Sequence, residues 1–225
     1  MDIGGGAGIY ALWLAQLGCA VHLVDMMPLH VEQAQQGSAA QPNHPLASAQ
    51  VGNALKLDFT DTSADAVLMF GPLYHLPERA ERIEALREAY RIVKPGGLMF
   101  TATISRFASF LDGLGKGTLA DDYFAELVAQ DLIDGQHRNP QQLLGYFATA
   151  FFHHPDEIRT EVAEAGFQLE ALLAVEGPAG FMPNFDQFWN DDRLHQRLLD
   201  NLRTLESDPT MLGATGHLIA VGRKP

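Results

Sequence analysis

Near its start the chain reads Asp2-Ile3-Gly4-Gly5-Gly6-Ala7-Gly8, an acid followed by glycines at alternate positions 4, 6 and 8. Residues without a Cβ let a backbone turn sharply and approach a ligand closely. The residues that follow predict a helix: Ile9, Leu12, Trp13 and Leu17 recur at helical spacing, and Gly18 stops it. Its free first-turn N–H groups would point at the glycines. Ala20-Val21-His22-Leu23-Val24 is then a short apolar run ending in Asp25. The stretch from Met1 to Asp25 therefore reads as strand, glycine loop, helix, strand and carboxylate, a βαβ half-unit with an acid on its second strand.

A carboxylate at that tip can accept two hydrogen bonds from a ribose diol, as it does in dinucleotide-binding folds. Asp25 thus predicts a ribose-bearing ligand. The dinucleotide fingerprint G-x-G-x-x-G would need glycine at position 9 when counted from Gly4, but Ile9 stands there; counted from Gly5 it fails at Ala7. The D-x-G-x-G-x-G spacing resembles motif I of class I S-adenosylmethionine-dependent methyltransferases. Two later stretches extend the resemblance. Gly71-Pro72-Leu73-Tyr74-His75-Leu76 follows the apolar run 64–70, as the family's fourth strand and exit loop would, and Lys94-Pro95-Gly96-Gly97 separates a helix at 77–93 from an apolar strand at 98–104.

The resemblance implies an α/β fold: a Rossmann-like, seven-stranded, mostly parallel sheet with an antiparallel last strand. It further implies one domain over 1–225, with a helical cap at 106–152 inserted after the fifth strand. Only Met1-Asp2-Ile3 is left for the first strand, and the family normally has one or two helices before it, so the N-terminal strand and lid helices are expected to be truncated. The implied cofactor is S-adenosylmethionine, leaving S-adenosylhomocysteine, held by Asp2, Gly4, Gly6, Gly8, Tyr10, Asp25, Met26, Asn53, Ala54, Phe70, Gly71 and Pro72. The family's residue at position 53, commonly aspartate, caps the adenine amino group through a side-chain oxygen. Asn53 keeps the oxygen without the charge, and an ordinary turn residue is the alternative.

The implied reaction is in-line transfer of a methyl group to a small-molecule acceptor. The (Asp/Asn)-Pro-Pro-(Tyr/Phe) motif of enzymes that methylate the amino groups of nucleic acid bases is absent. Where the acceptor needs a base, His75, Tyr74 and His153 are the candidates, since imidazole titrates near neutrality. Structural roles stay open for His75 and Tyr74, while His153 and His154 precede a helix, where they could face solvent. Two other readings are an inactive cofactor-binding protein and an NAD-type oxidoreductase, the latter disfavoured by Ile9.

Composition narrows the partners. The net charge is −13 with no Lys/Arg cluster, which argues against a phosphate-backbone ligand. No apolar run reaches a membrane span and no signal-peptide pattern opens the chain, so the expectation is a cytoplasmic protein, monomer or homodimer. The single cysteine, Cys19, excludes an internal disulfide and a thiolate zinc site, and is read as a buried small residue. Asp121-Asp122 and Asp191-Asp192 are neighbours that diverge on a helix, so no metal is expected.

Further helices are expected at 28–36, with a loop from Gly37, and over the stretches beginning at Pro155 and Asp191. Further strands are expected at 49–54, 167–175 and 217–222. The charges of the 77–93 helix, including a Glu78/Arg82 pair, are read as a solvated face. The cap is dense in aromatics, Phe107, Phe110, Tyr123, Phe124, Tyr146, Phe147, Phe151 and Phe152, most of which packing would explain.

Overall fold

The computed structural model describes residues 1–141, 147–182 and 184–225; Tyr146 lies outside them. In chain order the elements are β1 (Asp2–Ile3), α1 (Ile9–Gln16), β2 (His22–Asp25), α2 (Pro28–Ala40), β3 (Ser48–Val51), β4 (Ala64–Met69), α3 (Arg79–Ile92), β5 (Val93–Ser105), α4 (Ala108–Lys116), α5 (Asp122–Asp134), β6 (Gln136–His137), β7 (Ala150–His153), α6 (Pro155–Glu164), β8 (Gln168–Ala174), α7 (Phe185–Trp189), α8 (Asp192–Leu205) and β9 (His217–Arg223). The strands form a Rossmann-like sheet in the order β3-β2-β1-β4-β5-β7-β6, with β9 pairing β5 and β8. It is mostly parallel, and the last strands are antiparallel. Among the described residues nine strands are present where seven were expected. The additional pair is β6 and β7, because the apolar run Ala150–His153 is too short for its period to distinguish strand from helix.

The chain divides into two compact units, one of Met1–Ala102, Glu161–Glu170 and Val221–Pro225, the other of Thr103–Thr160 and Ala171–Ala220. In the first unit β1 is short but flanked on both sides, with Asp2 in register with Leu23 of β2 and Leu68 of β4. Ile3, Leu23, Val67, Met69, Leu86 and Met99 are buried in its core. Helix α1 inverts the expectation from hydropathy: Ala11 and Ala15 face the core, while Ile9, Trp13 and Leu17 are exposed. Small residues win the inner face because α2 comes close. A Cβ on Gly37 would meet Leu12 Cδ1 at 2.6 Å, so this glycine is a contact inside α2 rather than the start of a loop.

Two more expectations fail in this unit. Cys19 is exposed, because Gly18 turns the chain in the left-handed region at φ +89° and the run re-enters the core only at Val21. Arg82 does not lie on a solvated face; it is buried, forked onto Glu161 through Nε (3.1 and 3.2 Å) and Nη2 (2.8 Å). Near the other end of α3, Lys224 Nζ donates to the carbonyls of Tyr90 (2.7 Å) and Val93 (2.8 Å), satisfying groups that a helix end leaves open.

In the second unit α5 and α8 start on the N-caps Asp121 and Asp191, each the first of two adjacent acids. Asp121 accepts from the Phe124 N–H and Asp191 from the Leu194 N–H, which gives both acids a capping role. Asp131 of α5 is buried, accepting from Ser109 Oγ at 2.7 Å and lying 2.8 Å from His137 Nδ1. Among the aromatics, Phe124, Phe151 and Phe152 are buried packing residues, whereas Phe110 and Phe147 are exposed. His153 is fully buried in β7, edge-on to Phe151 at 4.7 Å, instead of facing solvent.

Candidate cofactor and active site

The register of β1 with β2 delivers the chain to the glycine loop. The N–H groups of Gly4 and Gly5 both donate to the Val24 carbonyl, at 2.7 and 3.3 Å. The backbone then leaves the sheet through Gly4, Gly6 and Gly8 at φ of +68°, +56° and +89°. An L side chain in that region costs about 1–2 kcal/mol, so the alternating glycines follow from the path. Gly8 is the N-cap of α1, and its carbonyl accepts the Leu12 N–H at 2.8 Å.

Space explains the rest of the motif. A Cβ on Gly4 would lie 2.7 Å from Cδ of Pro72, one on Gly5 2.7 Å from Oδ2 of Asp2, and one on Gly71 3.1 Å from the Gly4 carbonyl oxygen. The loop after β1 and the loop after β4, remote in sequence, therefore pack backbone to backbone. Gly6 is different. Nothing lies within 4 Å of a Cβ placed on it, so it faces open space.

Asp25, at the end of β2, turns its carboxylate to that glycine. Oδ2 accepts the Gly6 N–H at 2.9 Å; Oδ1 accepts the Met27 N–H at 2.9 Å and lies 3.2 Å from His30 Nδ1. An ionised carboxylate offers about four lone-pair sites, so acceptor capacity is left for one further hydroxyl, or for both hydroxyls of a diol when His30 Nδ1 carries no proton. Large apolar surface is exposed close by along the chain. Met26 follows the acid, Val51 pairs with it across β2 and β3, and Tyr10, in the first turn of α1, sits edge-on to Phe70 at 4.9 Å. Such a rim suits a flat heterocycle borne on a sugar.

Beneath the loop Asp2 is 1% exposed, and its Oδ2 has no hydrogen-bond partner. Burial pushes its carboxyl up to about 6 against the pull of the N-terminal ammonium and then of the Ala11 N–H, while the Asp25 charge adds a smaller push. Asp2 thus supports the loop from below Gly5. Asn53 accepts the Leu55 N–H on its own Oδ1 at 2.9 Å, the geometry of a turn residue. Ala54 follows it in that turn, partly buried.

The exit loop after β4 carries Tyr74 and His75 in a 3₁₀ turn, with their rings 4.6 Å apart. Burial lowers the His75 pKa, partly offset by the Asp25 charge, and raises that of Tyr74. Arg82, expected on a solvated face, fixes this loop by donating through Nη1 to the carbonyls of Leu76 (3.0 Å) and Pro77 (2.7 Å). The structure therefore brings the two glycine-bearing loops and Asp25 together. His153 belongs to the other unit.

Residues 1–101 match the family model for the methyltransferase domain. They are a class I S-adenosylmethionine-dependent methyltransferase domain. The family's cofactor is S-adenosylmethionine, and the open face of Gly6, the spare acceptor sites of Asp25 and the apolar rim fit it. A ubiquinone biosynthesis O-methyltransferase of Maricaulis maris is 30% identical over 84% of this chain and 64% of its own length. One of Parvibaculum lavamentivorans is 25% identical over 78% of this chain and 60% of its own length. The chain spans between 40% and 66% of the length of the curated relatives it matches. An S-adenosylmethionine-dependent methyltransferase structure from Mesorhizobium loti superposes with a TM-score of 0.64 over 99% of this chain and 89% of its own, at 15% identity, which shows the shared fold. Among the described residues no helix is long and apolar enough to cross a membrane.

Proposed function

We propose that the chain transfers the methyl group of S-adenosylmethionine to a small-molecule acceptor. The observation that carries this is the hydrogen bond from Gly6 N–H to Asp25, which holds a glycine with open space before it beside a carboxylate with acceptor sites to spare. In this reading Asp25 takes the ribose hydroxyls, with Tyr10, Met26 and Phe70 beside the adenine. Asn53 and Ala54 lie at its edge, and Asp2, Gly4, Gly8, Gly71 and Pro72 shape the floor. When bound, the cofactor supplies a methyl carbon on a positively charged sulfur, already a good leaving group, so the protein's main contribution is position. Holding two reactants in near-attack geometry is worth about 7–11 kcal/mol.

The two relatives are O-methyltransferases, which makes a hydroxyl the first acceptor class to test. A hydroxyl needs a base, and we assign that role to His75: burial lowers its pKa, which keeps the imidazole neutral and able to accept a proton near pH 7. Tyr74 orients the ring of His75. His153, sealed in β7, is the weaker candidate. We assign acceptor choice to the segment 106–152 on the family resemblance, and a cytoplasmic monomer or homodimer on composition. The test is calorimetry with S-adenosylmethionine, followed by measurement of S-adenosylhomocysteine formed with phenolic and alcoholic acceptors. Absence of cofactor binding in a folded sample overturns the reading, and binding without turnover on any acceptor favours an inactive cofactor-binding protein.

A further inference from the structure

The second unit holds a cavity of about 290 Å³ that has no part in the site above. Its walls include Phe107, His154, Asp156, Arg159, Pro209 and Leu212. His154 begins α6. Its carbonyl accepts the Glu157 N–H at 3.0 Å, its own N–H donates to Glu157 Oε2 at 2.8 Å, and its Nδ1 accepts the Asp156 N–H at 3.3 Å. That is a capping box with an imidazole in place of a hydroxyl. A backbone amide can only donate, so Nδ1 is the acceptor and Nε2 carries the proton, a free donor on the ring.

Arg159, one turn along α6, is the unusual wall residue. It is partly buried, and among the described residues it makes no hydrogen bond or ion pair. In a chain of net charge −13 acids are plentiful, yet the nearest ones in sequence are not paired with it. Glu157 holds Arg106 at 2.6 Å as well as the His154 N–H, and the Asp156 side chain is 82% exposed. A guanidinium has five N–H donors in a planar fork matched to two oxygens. The Phe107 ring, Pro209 and the buried Leu212 in the same wall are apolar.

We propose that this cavity binds a small organic monoanion, a carboxylate carried on an apolar ring. The carboxylate pairs with the Arg159 fork, and the ring lies against Phe107 and Leu212. One cation matches one negative charge, while the Asp156 carboxylate in the same wall disfavours a phosphate dianion. The site does not depend on the methyl-transfer reading.

The test is titration of the full chain, observed by NMR and calorimetry, with benzoate, its neutral isostere benzamide, and inorganic phosphate. Benzoate is expected to shift resonances of Phe107, His154 and Leu212, and Arg159→Gln to weaken it about tenfold or more, as loss of a charged hydrogen bond does. Arg159→Lys, which keeps the charge without the fork, is expected to fall between them. The proposal is overturned if benzoate fails to bind or shifts residues elsewhere, if Arg159→Gln binds it within about twofold of the parent, or if benzamide or phosphate binds as tightly.

Discussion

Asp25 Oδ2 and the Gly6 N–H lie 2.9 Å apart. This bond joins the end of β2 to the middle of the loop that leaves β1. Gly4 and Gly71 press the same loop against the segment after β4. The cleft is thus bounded by backbone on two sides and by one acid, an arrangement that needs glycine for approach and a carboxylate for orientation.

Replacing Asp25 by Ala leaves the Gly6 and Met27 N–H groups without their acceptor. Hydrogen bonds to a charged group are worth about 1.5–3 kcal/mol, so both the urea midpoint and cofactor affinity should fall, the latter by roughly ten- to hundredfold. Asp25→Asn keeps one acceptor oxygen but turns an amide NH₂ toward the second N–H, and should recover less than half of the loss. Calorimetry at matched folded fraction separates the two effects.

Gly4 and Gly6 share a left-handed backbone yet should respond differently to alanine. At Gly4 the new methyl meets Pro72 at 2.7 Å as well as the φ penalty, and the combined cost is about 2–5 kcal/mol. Gly6→Ala meets no protein atom, so only the backbone penalty of about 1–2 kcal/mol applies. Its methyl fills the space assigned to the cofactor, and binding should drop further than stability. A Gly6→Ala protein that binds S-adenosylmethionine normally would remove that space from the site.

Asp2 makes the fold prefer acid. Its carboxyl holds a proton up to about pH 6 in the folded state, against an ordinary value of 3.8. Between these values the folded chain binds more protons than the unfolded one, so the contribution favours folding below pH 4 and is lost as pH rises through 6. The integrated loss is about 3 kcal/mol. Other carboxylates move stability too, so the measurement is the difference between the parent and Asp2→Asn in urea midpoint from pH 4.5 to 7.5. The variant should gain on the parent up to about pH 6 and level off above it.

The glycine loop, Asp25 and the order of the first five strands were legible in the sequence because each rests on a local rule: φ > 0 needs glycine, and a doubly covered strand is apolar throughout. What was hidden depended on distant partners. Helical spacing grouped Ile9, Trp13 and Leu17, but the core takes Ala11 and Ala15 of α1, with Leu12 and Leu14 packed against them. Arg82 looked like half of a surface pair because Glu161 is 79 residues away. Arg159 carried no sequence signal, since lacking a partner is a property of the folded neighbourhood alone.

The Arg82–Glu161 pair should be worth little as a pair and much as a single loss. Both side chains are buried, at 2% and 1% exposure, and removing one partner strands a charge at a cost of about 3–5 kcal/mol. Glu161→Gln should therefore destabilise strongly. The double replacement Arg82→Met with Glu161→Leu should recover most of the stability but not activity, because the carbonyls of Leu76 and Pro77 lose the donor that holds the loop bearing His75. Thermal melts together with kcat and KM on the same samples test both halves.

If His75 takes the acceptor's proton, rate must follow its neutral fraction. Burial lowers its pKa from 6.5, with Asp25 offsetting part of the shift, so kcat/KM for a hydroxyl acceptor should rise with pH and level off at a midpoint below 6.5. His75→Gln should lower kcat by about 10²- to 10⁴-fold, the usual share of a general base, and abolish the acid limb while KM for S-adenosylmethionine stays put. A loss of only a few-fold with the limb intact would assign His75 to positioning, in company with Tyr74. An acceptor already ionised at neutral pH should be methylated by the variant at close to the parent rate, because no proton remains to be removed.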